Sequence, residues 1–486
     1  MTILIMISLV VMTMLGLLIM PGAGMVIAAS AVLSAVGIFL AIDLLLGRRT
    51  MRLTWVLAVA LMAGYGGGAL NTFVSFLLSG SDPFQGIDVP VNYIAFGFVM
   101  VCMASAILLA VGFVESPLFG PGDQIQFSKQ IERFVWVSAL LVLPAMMHGD
   151  LGYEGAAVQA GSRRVSAFGM LVSGLPFLSL PLVSVGLMQT KGSHRLRLIA
   201  LFIAQAILIF PQGRRVLFYS LLVSIYVVVN LAGRKIHVRA GQVVGVLLIA
   251  ALLGAASNYV FAATRLAMDE TNAKVKGGTL NASLVDGIPK VLETIFYAPQ
   301  SVMQYLSDTL RTRTFVIGYI SLLGRGGNIP PPMLGQDALF AVQIGIPDIF
   351  YTLVGADKTN IRKMEFEEFL INEHFGLPVY DDANSILTAG IADFGLIGIM
   401  AYPVLLCILY RIFLSSCNLL FEPFVGTAWK LIAMNLYLQT EVGLDGYLSL
   451  FRSMLYFAVI WSLIRAIPDL RRGSKIYQPL APLPES

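Results

Sequence analysis

Long uncharged apolar runs recur along this chain from its start to about residue 464, separated by more polar stretches. A helix that crosses a bilayer needs about 20 apolar residues. On that criterion runs fall near 4–20, 25–46, 53–79, 91–114, 134–148, 166–189, 198–211, 215–232, 241–262, 386–410, 428–440 and 449–464. The pattern predicts an all-α polytopic membrane protein with about twelve transmembrane helices. The first run has no basic leader and flows into a second, so it reads as a first span rather than a cleavable signal. Four glycines within the third run, Gly64, Gly66, Gly67 and Gly68, permit a kink or close packing of helices.

Lys and Arg near span ends set the orientation. Arg48, Arg49 and Arg52 share one short connection, and Lys129 and Arg133 lie in a later one. Lys191, Arg195 and Arg197 form a third group, and Arg234, Lys235 and Arg239 a fourth. Arg465, Arg471, Arg472 and Lys475 follow the last run. Twelve spans put all five groups on one side, which the rule assigns to the cytoplasm together with both termini. Residues 1–262 then form a bundle of about nine spans. Residues 263–385 form a large outer segment before the tenth span. Residues 386–467 carry the last spans, and 468–486 form a cytoplasmic tail. Within the outer segment, Ile288–Tyr297 and Ile344–Val354 read as amphipathic helices lying on the bilayer or the bundle. Pro330, Pro331 and Pro332 after Gly326, Gly327 and Asn328 mark an irregular loop.

Composition agrees. The 486 residues are 57% hydrophobic and only 12% charged. A soluble domain carries roughly 25% charged residues, so an ordinary soluble enzyme is excluded. The net charge of +4 says nothing about nucleic acid, because basic residues here follow topology. Cys102, Cys407 and Cys417 are scattered, with no metal or disulfide spacing. There is no phosphate-binding GxxxxGK[ST] loop and no HExxH, so no cofactor or metal is expected. Ionisable residues within the runs are scarce, which argues against ion-coupled transport. Arg452 falls close to the outer end of the last run.

Chemistry concentrates on the outer side. Arg163 and Arg164 precede the sixth run, Arg214 and Arg215 occupy a short turn, and Arg311 and Arg313 lie in the outer segment. Arginine grips phosphate oxygens with two parallel hydrogen bonds. Arg163 and Arg313 are each followed, after ten intervening residues, by a glycine, Gly174 and Gly324. The most specific stretch runs from Tyr380 to Gly398, with Asp381, Asp382, Asn384, Ser385 and Thr388 at the mouth of the tenth run and Asp393, Gly395 and Gly398 beyond. Asp382 or Asn384 suits the N-cap of that helix, and a carboxylate there is also placed to accept a proton from a sugar hydroxyl.

This stretch resembles the O-antigen polymerase (Wzy-type) family of oligosaccharide repeat-unit polymerases. Members carry an Asn-x-x-x-Thr-like element and then Asp-Phe-Gly-x-x-Gly, matched here by Asn384, Thr388, Asp393, Phe394, Gly395 and Gly398. The two Arg-x10-Gly pairs and the late outer segment are similar as well. The resemblance implies a GT-C (C-type glycosyltransferase) architecture in the bacterial inner membrane, with the active face periplasmic. It implies transfer of a growing glycan from undecaprenyl diphosphate onto the next lipid-linked repeat unit, with no metal or cofactor. Arg163, Arg164, Arg214, Arg215, Arg311 and Arg313 would bind the diphosphate. Asp381, Asp382, Glu367 and His374 are candidates for the base. Asn384, Thr388, Asp393 and Gly395 would order the site. Expected partners are undecaprenyl-diphosphate-linked oligosaccharide, membrane lipids, and a chain-length regulator and flippase of the same pathway. Related O-antigen ligases place a His-Asn element at the equivalent loop end, whereas Ala383 precedes Asn384 here. A ligase or other lipid-linked-glycan transferase is the nearest alternative. A lipid-glycan flippase or transporter, and a structural envelope subunit, are more distant ones.

Overall fold

The computed structural model describes residues 2–78, 90–147, 174–209, 214–233, 284–305, 332–346, 385–420, 422–439 and 442–467, with isolated residues between them. The described residues are helical and contain no β-strand. In chain order the helices are α1 (Thr2–Ile19), α2 (Ala23–Leu45), α3 (Leu53–Leu78), α4 (Val91–Val111), α5 (Lys129–Met147), α6 (Pro176–Gln189) and α7 (Gly192–Ile209). There follow α8 (Arg214–Tyr226, continued by a wider π turn Val227–Leu231), α9 (Leu284–Tyr297), α10 (Gln336–Gly345), α11 (Ile386–Phe394), α12 (Leu396–Leu420), α13 (Pro423–Tyr437) and α14 (Leu444–Ala466). Seven of these, α1, α2, α3, α4, α7, α12 and α14, are long and apolar enough to cross a bilayer. The protein is a multi-pass membrane protein. The run near 241–262 lies mostly outside the described residues. Those near 166–189 and 428–440 yield shorter described helices, α6 and α13, of 14 and 15 residues.

The helices begin where the sequence offers a suitable first turn. Pro176 and Pro423 occupy first helical positions, where the missing N–H costs nothing. Prolines stand inside α5, α6 and α12 at 144, 181 and 403, a residue that helices within a membrane bundle tolerate better than isolated ones. In α3, Met62–Gly66 widens into a π turn that brings Gly66 against Leu33 and Ser34 of α2.

The connections meet in a polar belt at one end of the bundle. Asn230 donates to the Leu45 carbonyl at 2.9 Å. The Glu115 carboxylate accepts from Leu53 N, Thr54 N and the Thr54 hydroxyl at 3.0, 3.1 and 2.6 Å. Gln189 accepts from Phe127 N at 2.7 Å and donates to the carbonyls of Ile125 and Ala232 at 2.9 Å. Lys430 sets its ammonium 2.8 Å from both oxygens of Asp123, which also accept from Thr427 and Gly120 N at 2.7 Å. Glu422 joins Trp461 and Arg465, and Arg133 reaches the Ile467 carbonyl. The basic groups around Arg49, Arg133, Arg195 and Arg465 therefore flank one end of the bundle.

Above the belt, α12, α13 and α14 pack through aromatic rings. Phe413 stacks on Trp429 at 5.3 Å, Tyr410 on Phe451 at 4.6 Å, and Trp429 donates to the Met454 carbonyl at 2.8 Å.

One expectation needs correction. The tenth run, 386–410, is not one helix. It breaks at Gly395, whose φ of 63° and ψ of −147° suit glycine and few other residues. There α11 and α12 fold back on each other so closely that a Cβ on Gly398 would fall on the Gly390 carbonyl. Of the two amphipathic stretches expected in the outer segment, the second, Ile344–Val354, lies partly outside the described residues; within it Ile344, Gly345, Tyr351 and Leu353 are helical, the first two as the end of α10. The first coincides with α9, which exposes Leu292, Phe296 and Tyr297.

The Gly390–Gly398 contact is backbone to backbone, so no rotamer change relieves a clash. Gly398→Ala is expected to lower the amount of folded protein in membranes at least several-fold, whereas Gly22→Ala, in open space, should leave it unchanged. Quantitative fluorescence size-exclusion of tagged protein measures both.

Candidate functional site

The hairpin α11–α12 is built from the stretch that the sequence marks as most specific. Residues Ile386 to Asp393 are all buried. Its N-cap is Ser385, not Asp382 or Asn384. The Ser385 hydroxyl accepts from Thr388 N at 3.3 Å, and Ser385 N donates to the Thr388 hydroxyl at 2.9 Å. This reciprocal pair satisfies two N–H groups that a helix start otherwise leaves open. Thr388 is thus part of the cap itself.

Asp393 stands at the other end of α11, wholly buried. Its Oδ1 accepts from Asp337 N and its Oδ2 from Ala338 N, each at 2.9 Å. Those two amides open α10, so the carboxylate sits where the helix dipole favours negative charge. The Tyr402 hydroxyl of α12 donates to the same Oδ2. The backbone adds Met333 N to the Ala392 carbonyl and Leu334 N to the Asp393 carbonyl, both at 2.9 Å. These two bonds occupy carbonyls at the end of α11 that have no acceptor role within the helix. Leu334 adopts a left-handed φ of 56° to make the turn into α10. A non-glycine residue held there stores local strain.

One carboxylate therefore locks three elements together: α10, the end of α11, and α12. Helices α10 and α11 are the described elements that bracket residues 347–384 in the sequence. All four candidate bases, Glu367, His374, Asp381 and Asp382, fall in that interval and lie outside the described residues, as does Asn384. Arg163, Arg164, Arg311 and Arg313 lie outside them too. Arg214 and Arg215 are the first two residues of α8, at the end of that helix away from the belt. Their side chains are not among those described. Gly174, the glycine of the first Arg-x10-Gly pair, lies two residues before α6 and packs on Ser453 of α14; a Cβ there would stand 2.9 Å from Ser453 Cβ.

Several polar groups of this region carry no local sequence signal. Tyr402 meets Asp393 only because the chain reverses at Gly395. Asp337 is a second buried carboxylate, in the first turn of α10, marked in the sequence by nothing but its type. Deeper in the bundle, the fully buried Asn435 of α13 donates to Ser220 of α8 at 3.1 Å.

No family model matches the chain, and neither a curated protein nor a solved structure matches it.

Proposed function

We propose that this protein is a glycosyltransferase of the bacterial inner membrane that polymerises oligosaccharide repeat units carried on undecaprenyl diphosphate. The belt end faces the cytoplasm and the opposite end, with the α10–α11–α12 joint, faces the periplasm. The observation that carries the reading is the Asp393 clamp. It fixes the two described helices that flank the interval bearing every candidate base, and it uses the residues on which the family resemblance rests.

In the reaction a hydroxyl of the incoming repeat unit attacks the anomeric carbon of the growing glycan. A new glycosidic C–O bond forms as the C–O bond to the diphosphate breaks. The hydroxyl proton passes to a base from the 347–384 interval, with Asp381, Asp382, Glu367 and His374 as candidates. The departing undecaprenyl diphosphate takes the electron pair, and arginines neutralise the charge it gains. Asp393, engaged by three donors, positions the joint and is not the base.

The test is a chromosomal deletion followed by electrophoresis of surface glycans and lipid-linked intermediates. Loss of the polymer ladder, with single units still formed, is the expected result. Polymer persisting on the lipid carrier but missing from its final anchor would make the protein a ligase. Repeat units accumulating only on the cytoplasmic leaflet would make it a flippase. Complementation with a double Arg163→Ala, Arg313→Ala variant should restore protein but not long chains. Full-length polymer from that variant would remove these arginines from the diphosphate site.

A further inference from the structure

Helix α7 lies at the rim of the bundle and has two unlike faces. His194, Leu198, Leu201, Gln205 and Ile209 recur at helical spacing and turn inwards. Gln205, itself buried, donates to the Val135 carbonyl of α5 at 3.0 Å. Ile209 packs with Leu180 of α6 and Leu217 of α8. His194 faces Glu132 of α5 at 3.7 Å. Packing against α5, α6 and α8 thus fixes the rotation of α7.

The outward face carries Leu196, Ile199, Ile203 and Ile207, which are 68%, 41%, 52% and 64% exposed. From Leu196 to Ile207 this stripe rises about 16 Å. That is roughly half of a hydrocarbon core about 30 Å thick, the depth of one leaflet. Arg195 and Arg197 flank the head of the stripe, both exposed, and Lys191 stands one turn above Arg195. Among the described residues, none of these three cations makes a hydrogen bond or an ion pair. No acid stands in the first turn of α7, and positive charge there opposes the helix dipole. Helix stability therefore argues against this placement, and an anion from outside the protein relieves it.

Arginine suits phosphate in particular, because its planar fork matches two oxygens. A free phosphate ion would use the cations and leave the apolar stripe unused. A lipid with an anionic head and an acyl tail uses both. We infer that the start of α7 seats an anionic phospholipid of the leaflet at the belt end. Its phosphate lies between Arg195 and Arg197, and one acyl chain runs along Leu196, Ile199, Ile203 and Ile207. This seat is at the opposite end of the bundle from the Asp393 joint and does not depend on the polymerase reading.

The test is native mass spectrometry of the full-length protein with phosphatidylglycerol and, separately, zwitterionic phosphatidylethanolamine. Wild-type protein should bind its first phosphatidylglycerol at least fivefold more tightly than phosphatidylethanolamine. The double variant Arg195→Gln, Arg197→Gln should lose at least tenfold in phosphatidylglycerol affinity and change less than twofold for phosphatidylethanolamine. Glycerol phosphate, which has the head without the tail, should not displace the lipid. Arg48→Gln removes another exposed cation of the belt, one that lies 3.8 Å from Asp43, and should leave the affinity within twofold of wild type. An equal loss in Arg48→Gln would reduce the effect to net charge and overturn the seat. So would a wild type without preference between the two lipids, or displacement by glycerol phosphate. If the double variant does not fold, the single variants Arg195→Gln and Arg197→Gln decide. Each should lose about threefold, and unchanged affinity in both overturns the inference.

Discussion

Asp393→Ala is expected to abolish long-chain product and to destabilise the protein by several kcal/mol. The change strands three buried donors at once, Asp337 N, Ala338 N and the Tyr402 hydroxyl. A buried donor left without an acceptor costs about 1–3 kcal/mol. Losing a helix cap falls within the same range, and here the capped helix is α10. Asp393→Asn separates charge from shape. Its amide oxygen still accepts, but its NH2 group faces donors, so it should retain a folded bundle with a loosened α10. Tyr402→Phe removes one donor and leaves both amide bonds, and it should cost least of the three. Thermal unfolding in detergent, read beside the length of surface glycan in complemented cells, ranks them. A wild-type melting temperature for Asp393→Ala would mean that the clamp does not hold the joint.

Lys430→Ala should destabilise the protein to a comparable degree, at the opposite end of the bundle and for a different reason. Lys430 and Asp123 are each about 10% exposed at the side chain, and removing one leaves the other charged and buried. Breaking such a pair costs about 3–5 kcal/mol, whereas replacing both partners with apolar residues of similar volume is often neutral. The double variant Asp123→Leu, Lys430→Met should therefore recover much of what Lys430→Ala loses. Gly120 N loses its acceptor in that variant, while Thr427 keeps only the Pro423 carbonyl, so recovery stays incomplete. A double variant as unstable as Lys430→Ala would count against a charge-pair origin. The proposed polymerisation would take place at the other end, so any variant here that folds should support normal chain lengths.

Much of this architecture is legible in the amino-acid pattern. Uncharged runs locate α1 to α4, α7 and α14 closely, because a bilayer imposes length and apolarity on each crossing. The clustering of arginines at one end was legible for the same reason. The direction of the chain within an apolar run is another matter. Nothing in the hydropathy of residues 386–410 distinguishes one long helix from two that reverse at Gly395, since both bury the same side chains. Long-range polar pairs leave no local trace either: Asp123 and Lys430 are 307 positions apart. The Ser385–Thr388 box has the right spacing, but Asp382 and Asn384 stand just before it and are equally good caps by type. Of the site itself, Thr388, Asp393 and Gly395 are legible as a group because each has a demanding backbone or hydrogen-bonding role. Tyr402 and Asp337 reach Asp393 only through the fold.

The reversal at Gly395 also bears on how the protein enters its membrane. Residues 386–420 emerge from the ribosome as a nearly uninterrupted apolar tract of helices α11 and α12, well beyond the roughly 20 residues a crossing requires. Insertion machinery that weighs only hydrophobicity would find several overlapping windows of similar merit in it. Gly395 selects among them. By ending α11, it leaves α12, the helix long and apolar enough to cross, to make the passage with α11 folded back against its start. The number of crossings, and so the side on which the C-terminus finishes, is unaffected by α11. A substitution at Gly395 that straightened the tract would push its register along the membrane normal by up to nine residues. The misplaced product would carry the correct topology with every contact of α12 out of step.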